Sequence, residues 1–309
     1  MKRLAFAALV LTFVVVVVGA YVRLSDAGLG CPDWPLCYGK PLPEKVADAA
    51  DHAKQWKEVA HRMLAGTLGL LLFAQLLAAW RTRQSPGLAT VIAALVVFQA
   101  ALGMWTVTLL LKPAIVTAHL IGGMTILALM TWFSLERTGA PTRPEGRTLR
   151  TPAAIALAAL AVQIALGGWV SANYAALACP DLPLCQGQAV PTMDFANAFH
   201  VVRELGRTDE GEILPAAALT AIHWTHRMFA LAVLAVIGWA AHRTAKVYRA
   251  LGLLIGALLL LQFSIGVANV AFNVPLPLAA AHNAGAAALL VSLVVLNFFA
   301  FREHTSSSP

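Results

Sequence analysis

Eight stretches of this sequence are apolar for long enough to cross a bilayer as helices, and few architectures survive that constraint. They fall at about 4–22, 58–80, 88–110, 113–135, 152–172, 218–241, 250–272 and 278–300. A helix needs roughly 20 apolar residues to span the hydrocarbon core. Aliphatic runs such as Val14 to Val18 favour strand by propensity alone. In lipid an open strand would leave backbone groups without partners, so runs of this length are helices. Composition agrees, with 59% hydrophobic and 12% charged residues, against roughly 25% charged in a soluble domain. The stretch 4–22 follows Lys2 and Arg3 as a signal peptide would. It is longer than a usual signal core and lacks a small-x-small cleavage site before Arg23, so it reads as a retained helix.

The formal charge of +7 does not point to nucleic acid, because the basic residues sit in short linkers between apolar stretches. Lys2 and Arg3, Arg81 and Arg83, Arg137, Arg143, Arg147 and Arg150, Arg243, Lys246 and Arg249, and Arg302 all fall on one side of the membrane. By the positive-inside rule that side is cytoplasmic. Both termini are then cytoplasmic, and the two long loops, 23–57 and 173–217, are extracytoplasmic. No Arg/Ser-rich transit segment precedes the first helix, which favours a bacterial plasma (inner) membrane over an organelle.

The chain repeats itself. Cys31-Pro32-Asp33-Trp34-Pro35-Leu36-Cys37 is echoed by Cys179-Pro180-Asp181-Leu182-Pro183-Leu184-Cys185, 148 positions on, and Gly19 matches Gly167 at the same offset. Glu58-Val59-Ala60-His61-Arg62-Met63 matches His223-Trp224-Thr225-His226-Arg227-Met228. Gln99 and Gly103 match Gln262 and Gly266, and Ala118-His119 matches Ala281-His282. Four helices separate equivalent positions, so the halves share one orientation, as in a parallel repeat about an axis near the membrane normal. The expected fold is an all-α integral membrane protein of eight transmembrane helices in two tandem, pseudo-symmetric four-helix bundles, 1–140 and 141–309.

His61, His119, His226 and His282 lie near the outer ends of helices at matched places. Ionisable groups at membrane depth are costly and mark function. Two imidazoles on facing helices suit the two axial positions of a haem iron; zinc would want more ligands, closer together. Taken singly, each histidine would also serve as an interhelical hydrogen-bonding group. Four in duplicated places favour ligands. His52, His200, His242 and His304 read as solvated loop or tail residues.

Glu58 shares a helix face with His61 and Arg62, whereas His223 takes its place in the second half. A carboxylate beside an iron site accepts a proton, orients a substrate or steadies a cation, so the first half reads as catalytic and the second as an electron-transfer site. The plainer reading is a Glu58–Arg62 pair. Arg62 and Arg227 suit either haem propionates or lipid headgroups. The cysteines form two Cys-x5-Cys pairs in outer loops, where an oxidising compartment favours a disulfide within each, as staple or as redox pair. The spacing Gln99/Gly103, Gln163/Gly167 and Gln262/Gly266 reads as packing, with Gly122, Gly123 and Gly285 as room for a ring.

These residues together resemble the haem A synthase family over essentially the whole chain. The resemblance rests on Glu58, His61-Arg62, His119, His226-Arg227, His282 and the two Cys-Pro-Asp-x-Pro-Leu-Cys loops. It implies oxidation of the C8 methyl group of haem O to a formyl group by successive hydroxylations with water-derived oxygen, for terminal oxidases. It further implies His61 and His119 as holders of the substrate haem O and Glu58 as the essential carboxylate. By the same resemblance His226 and His282 are ligands of a permanent haem b, and Cys31 and Cys37 are the pair nearest the reacting haem. Haem O carries a farnesyl tail, which suits an enzyme in the bilayer.

Three other functions compete. A dihaem b cytochrome exchanging electrons with quinone would use the four histidines without Glu58. A membrane thiol oxidase would depend on the cysteines instead. A transporter would need a broken helix with a polar midplane pocket. Expected partners are haem O, the lipid bilayer and an electron acceptor that the sequence does not identify. The farnesyltransferase that makes haem O, cytochrome oxidase assembly factors and a second copy of the chain are further candidates; nucleic acid is not.

Overall fold

The computed structural model describes residues 1–43, 48–139 and 143–302; His304 lies outside them. The long helices are α1 (Lys2–Leu24), α2 (Ala49–Thr82), α3 (Pro86–Thr108), α4 (Pro113–Leu135) and α5 (Arg150–Ala172), then, after the single turn α6 (Phe195–Ala198), α7 (Ala216–Val247), α8 (Arg249–Ala271) and α9 (Leu276–Phe301). Among the described residues eight helices are long and apolar enough to cross a membrane.

Local chemistry sets the helix ends. Pro86 and Pro113 sit in the first turns of α3 and α4, where a missing N–H costs nothing. Asp48 caps α2 by accepting from the Ala50 amide at 2.8 Å. This helix starts nine residues ahead of the apolar stretch because 49–57 is helix-forming but polar. His52 is therefore on α2 rather than in a loop, and the Trp56 indole donates to it at 3.0 Å. For the same reason α7 runs on to Val247 and carries His242. His200 stays in the outer loop, 3.5 Å from Asp209.

In the first half α1 packs on α2 and α4, and α3 packs on the same two; in the second, α5 packs on α7 and α9, and α8 on the same two. Contacts of α4 with α5 and α9, and of α1 with α9, join the two sets. Left-handed backbone recurs at matched places: Asp26 and Tyr174, Tyr38 and Gln186, Leu110 and Asn273, Leu111 and Val274. At the join, Arg23 donates to the Ser171 carbonyl at 2.8 Å and the Tyr174 hydroxyl to Asp26 at 3.2 Å. Both pairs are counterparts 148 positions apart. A residue meets its own counterpart only beside the axis that relates the repeats.

The arginine-rich helix ends are held together by their own side chains. Arg137 donates to the Gln84 carbonyl at 2.9 Å, Arg143 to Val247 at 2.7 Å and Arg150 to Ala300 at 3.1 Å. Leu70 and Val97 lie on the outside, where lipid replaces water. α9 is the most enclosed span, 56% buried against 17% for α3 and α8. The α7–α8 pair meets backbone to backbone at Gly252, where a Cβ would lie 2.3 Å from the Ala245 nitrogen.

Gly252→Ala should therefore cost about 1–3 kcal/mol by overpacking, read as a lower unfolding midpoint in detergent. Gly256→Ala, with nothing within 4 Å of its Cβ, should leave the midpoint unchanged or slightly higher. Equal effects at the two positions would contradict the packing described.

Candidate functional site

One cavity of about 1660 Å³ runs through the protein, and every one of the eight long helices lines it. It exceeds the roughly 300–1,000 Å³ of a common small-molecule pocket. His61, His119, His226 and His282 all line it, as do Glu58, Arg62, His223 and Arg227.

Each imidazole rests on a glycine of the neighbouring helix. A Cβ on Gly19 would lie 2.7 Å from Cε1 of His61; on Gly103, 3.3 Å from Cε1 of His119; on Gly167 and Gly266, 3.1 Å from Cε1 of His226 and His282. Of the glycines expected to make room for a ring, Gly123 lines the cavity beside Val16, whereas Gly122 and Gly285 accommodate the side chains of Gln99 and Gln262. The Gln-x3-Gly spacing thus combines a ring seat with a polar group one turn away. Gly19 belongs to the same set without its glutamine, so the spacing alone missed it.

Glu58 is almost fully buried, 4% exposed. One carboxylate oxygen pairs with Arg62. The other accepts from the Cys31 amide at 2.9 Å. The guanidinium of Arg62 also donates to the carbonyls of Asp33 at 2.9 Å and Leu36 at 2.6 Å. The plain ion pair is thus present, as part of a clasp between α2 and the first cysteine loop. In the second half His223 takes the equivalent bond, its Nδ1 accepting from the Cys179 amide at 3.2 Å. Arg227 reaches Cys179 and Pro183 only at 3.5 and 3.3 Å. Both arginines point into loop backbone.

The loops are built alike. Cys31–Cys37 and Cys179–Cys185 are disulfide-bonded. Asp33 accepts from the Tyr38 and Gly39 amides at 2.6 and 2.7 Å, and Asp181 from Gln186 and Gly187 at 2.6 and 2.8 Å. The Gly39 and Gly187 amides above all hold these carboxyls below the usual aspartate range. A lowered carboxyl pKa keeps these bonds intact above that range and gives them up only on acidification through the lowered value. Outside the cavity, Arg203 is buried in the second outer loop, bonded to Asn173 at 2.5 Å; burial lowers its pKa.

Among the described residues no three His, Cys, Asp or Glu side chains converge to hold a metal ion. The donors are imidazole pairs in an apolar cavity. The Nδ1 atoms of His61, His119 and His282 are buried without partners, leaving Nε2 as the nitrogen for a ligand. That donor set fits a flat iron porphyrin held on two sides and does not fit a structural zinc.

Fold and site define a multi-pass membrane protein with paired imidazoles facing one lipid-embedded cavity. The chain belongs to the cytochrome oxidase assembly protein family, COX15-CtaA, whose pattern matches residues 2–294. It is similar to a protein of Shewanella oneidensis called heme A synthase, 39% identical over 97% of this chain and 96% of that one. A heme A synthase of Caulobacter sp. strain K31 is 32% identical over 93% and 92% of the two chains. One of Rhizorhabdus wittichii is 28% identical over 92% and 89%.

Hydrogen bonds to charged groups contribute about 1.5–3 kcal/mol each. Arg62→Leu should therefore speed amide hydrogen exchange in 31–40 at least about tenfold, equivalent to about 1.4 kcal/mol. Arg227→Leu should affect 179–188 less. Equal acceleration in both loops would show that the Arg62 contacts stabilise their loop no more than those of Arg227.

Proposed function

We propose that the protein is a haem A synthase, an oxidoreductase that converts the C8 methyl group of haem O to a formyl group in the membrane. The observation that carries this reading is an asymmetry between two otherwise matched imidazole pairs. Only the His61/His119 pair has a carboxylate beside it, Glu58, where the other has His223. The name carried by the relatives supports the same activity.

In this reading His61 and His119 hold haem O from opposite sides in the 1–140 half, and the 141–309 half serves electron transfer. His226 and His282 would hold haem b, which when bound supplies a one-electron acceptor within the same cavity. Turning a methyl group and one water into a formyl group releases four protons and four electrons. Glu58 is the proton acceptor: one carboxyl oxygen pairs with Arg62, and the other takes a proton when the Cys31 amide lets go. The Cys31–Cys37 loop closes the outer end of the cavity and orients Glu58. His223 keeps the loop bond but offers no carboxylate, so the second pocket carries electrons rather than protons. Arg62 and Arg227 would meet haem propionates only by exchanging loop carbonyls for them. The apolar cavity suits a farnesylated substrate that arrives from lipid.

By the positive-inside rule the arginine-rich end faces the cytoplasm of a bacterium, with both termini there and the disulfide loops outside. The farnesyltransferase that supplies haem O and assembly factors of the oxidase are the protein partners this placement suits.

Expression in a host that makes haem O but not haem A, followed by chromatography and mass detection of extracted haems, tests the activity. Wild type should yield haem A or its hydroxylated precursor. Glu58→Ala should lower the yield about 10²-fold or more, the usual worth of a general base. Unchanged haem O from folded, haem-loaded wild type would remove the synthase reading and leave a dihaem b cytochrome as its successor.

A further inference from the structure

We infer that Gln163 is a positioning residue for His226, and that Val15 at the matching place leaves His61 without one, so the two imidazole pairs are unequal as iron ligands. This rests on the haem reading above.

The four ring seats Gly19, Gly103, Gly167 and Gly266 are alike. One helical turn before each, on the same face, stand Val15, Gln99, Gln163 and Gln262. Two of the three glutamines reach past the histidine, into the space over Gly122 and Gly285, three residues further along α4 and α9. Gln262 also donates to the His282 carbonyl at 2.9 Å. On α7 the residue three beyond His226 is Phe229, not glycine. Gln163 stops at the ring: its Nε2 lies 3.2 Å from Nδ1 and 3.5 Å from Nε2 of His226, and donates to the His226 carbonyl at 3.2 Å. Its Oε1 is buried without a partner. Of the four rings, only His226 has a side-chain polar group on Nδ1; the Nδ1 atoms of His61, His119 and His282 have no partner.

An imidazole that binds iron through Nε2 carries its proton on Nδ1, and an acceptor there fixes the ring and strengthens it as a donor. Gln163 supplies that acceptor by a half-turn of its amide, which gives up the bond to the His226 carbonyl and brings the unpaired Oε1 to Nδ1. A stronger donor favours ferric over ferrous iron and slows loss of the haem, which suits a resident group. Val15 offers His61 no acceptor, so that ring is the weaker and freer ligand. This suits a haem that must enter as substrate and leave as product.

The full chain, purified with its haems, is titrated potentiometrically in a His61→Ala background, so that the remaining bis-imidazole haem is the one on His226 and His282. Gln163→Leu, which keeps volume but no acceptor, should shift the ferric/ferrous balance about tenfold toward ferrous. For one electron that is about 59 mV more positive. Haem transfer to apomyoglobin should quicken about tenfold or more. Gln163→Glu keeps an acceptor oxygen and should stay at or below the wild-type potential. In the unmodified background, Val15→Gln should move the other haem negative. Loss of haem from Gln163→Leu that Gln163→Glu restores supports the inference; loss from both, or a retained haem with unshifted potential in Gln163→Leu, overturns it. If the parent protein has no bis-imidazole spectrum that depends on His226 and His282, the haem reading itself fails and Gln163 is not at issue.

Discussion

The architecture depends on how closely helices approach where an imidazole must lie between them. A histidine ring inside a membrane bundle needs a neighbour with no side chain at that level. Gly19, Gly103, Gly167 and Gly266 meet that need for four rings in the same way, against the same ring carbon. Small residues at helix contacts are a general device for close packing in lipid, where no hydrophobic force drives helices together. Here the device also places each ring: Cε1 rests on the glycine and, at His61, His119 and His282, Nδ1 is buried without a partner.

The second constraint is electrostatic. A carboxylate as buried as Glu58 is tolerated because its charge is matched by Arg62 and its second oxygen by the Cys31 amide. Burial of an ionised group without such partners costs several kcal/mol. The loop that supplies the amide is itself closed by a disulfide and by the bonds to Asp33. The disulfide loop, the carboxylate and helix α2, which carries His61, are thus one mechanical unit. His223 preserves the amide bond in the second half and discards the charge. One difference on a duplicated frame leaves the loop anchored and removes the carboxylate.

Duplication explains much of the rest. Matching turns, loops and ring seats recur at fixed offsets, while the lining differs beside the imidazoles at Glu58 against His223 and Val15 against Gln163, and elsewhere at pairs such as Thr12 against Leu160 and Leu120 against Asn283. One cavity is shared by both halves and lined by all four paired histidines. The join beside Arg23 and Tyr174 keeps the halves in fixed register.

Much of this was legible in the sequence. The apolar runs determined the helices, because lipid forbids unpaired backbone, and the repeat of Cys-Pro-Asp-x-Pro-Leu-Cys, Glu58/His223 and the four histidines located the cavity residues without coordinates. Helix ends were misjudged at 49–57 and 242–247, where polar residues continue a helix into water and hydropathy no longer reports on conformation. Tertiary structure alone decided which glycine faces which ring, and that Gln99 and Gln262 pass their histidines while Gln163 stops at one. It also decided that Arg62 clasps a loop. These outcomes hinge on the rotation and separation of neighbouring helices, to within an ångström. One chain's residue order fixes the periodicity of each helix but not its phase against the next.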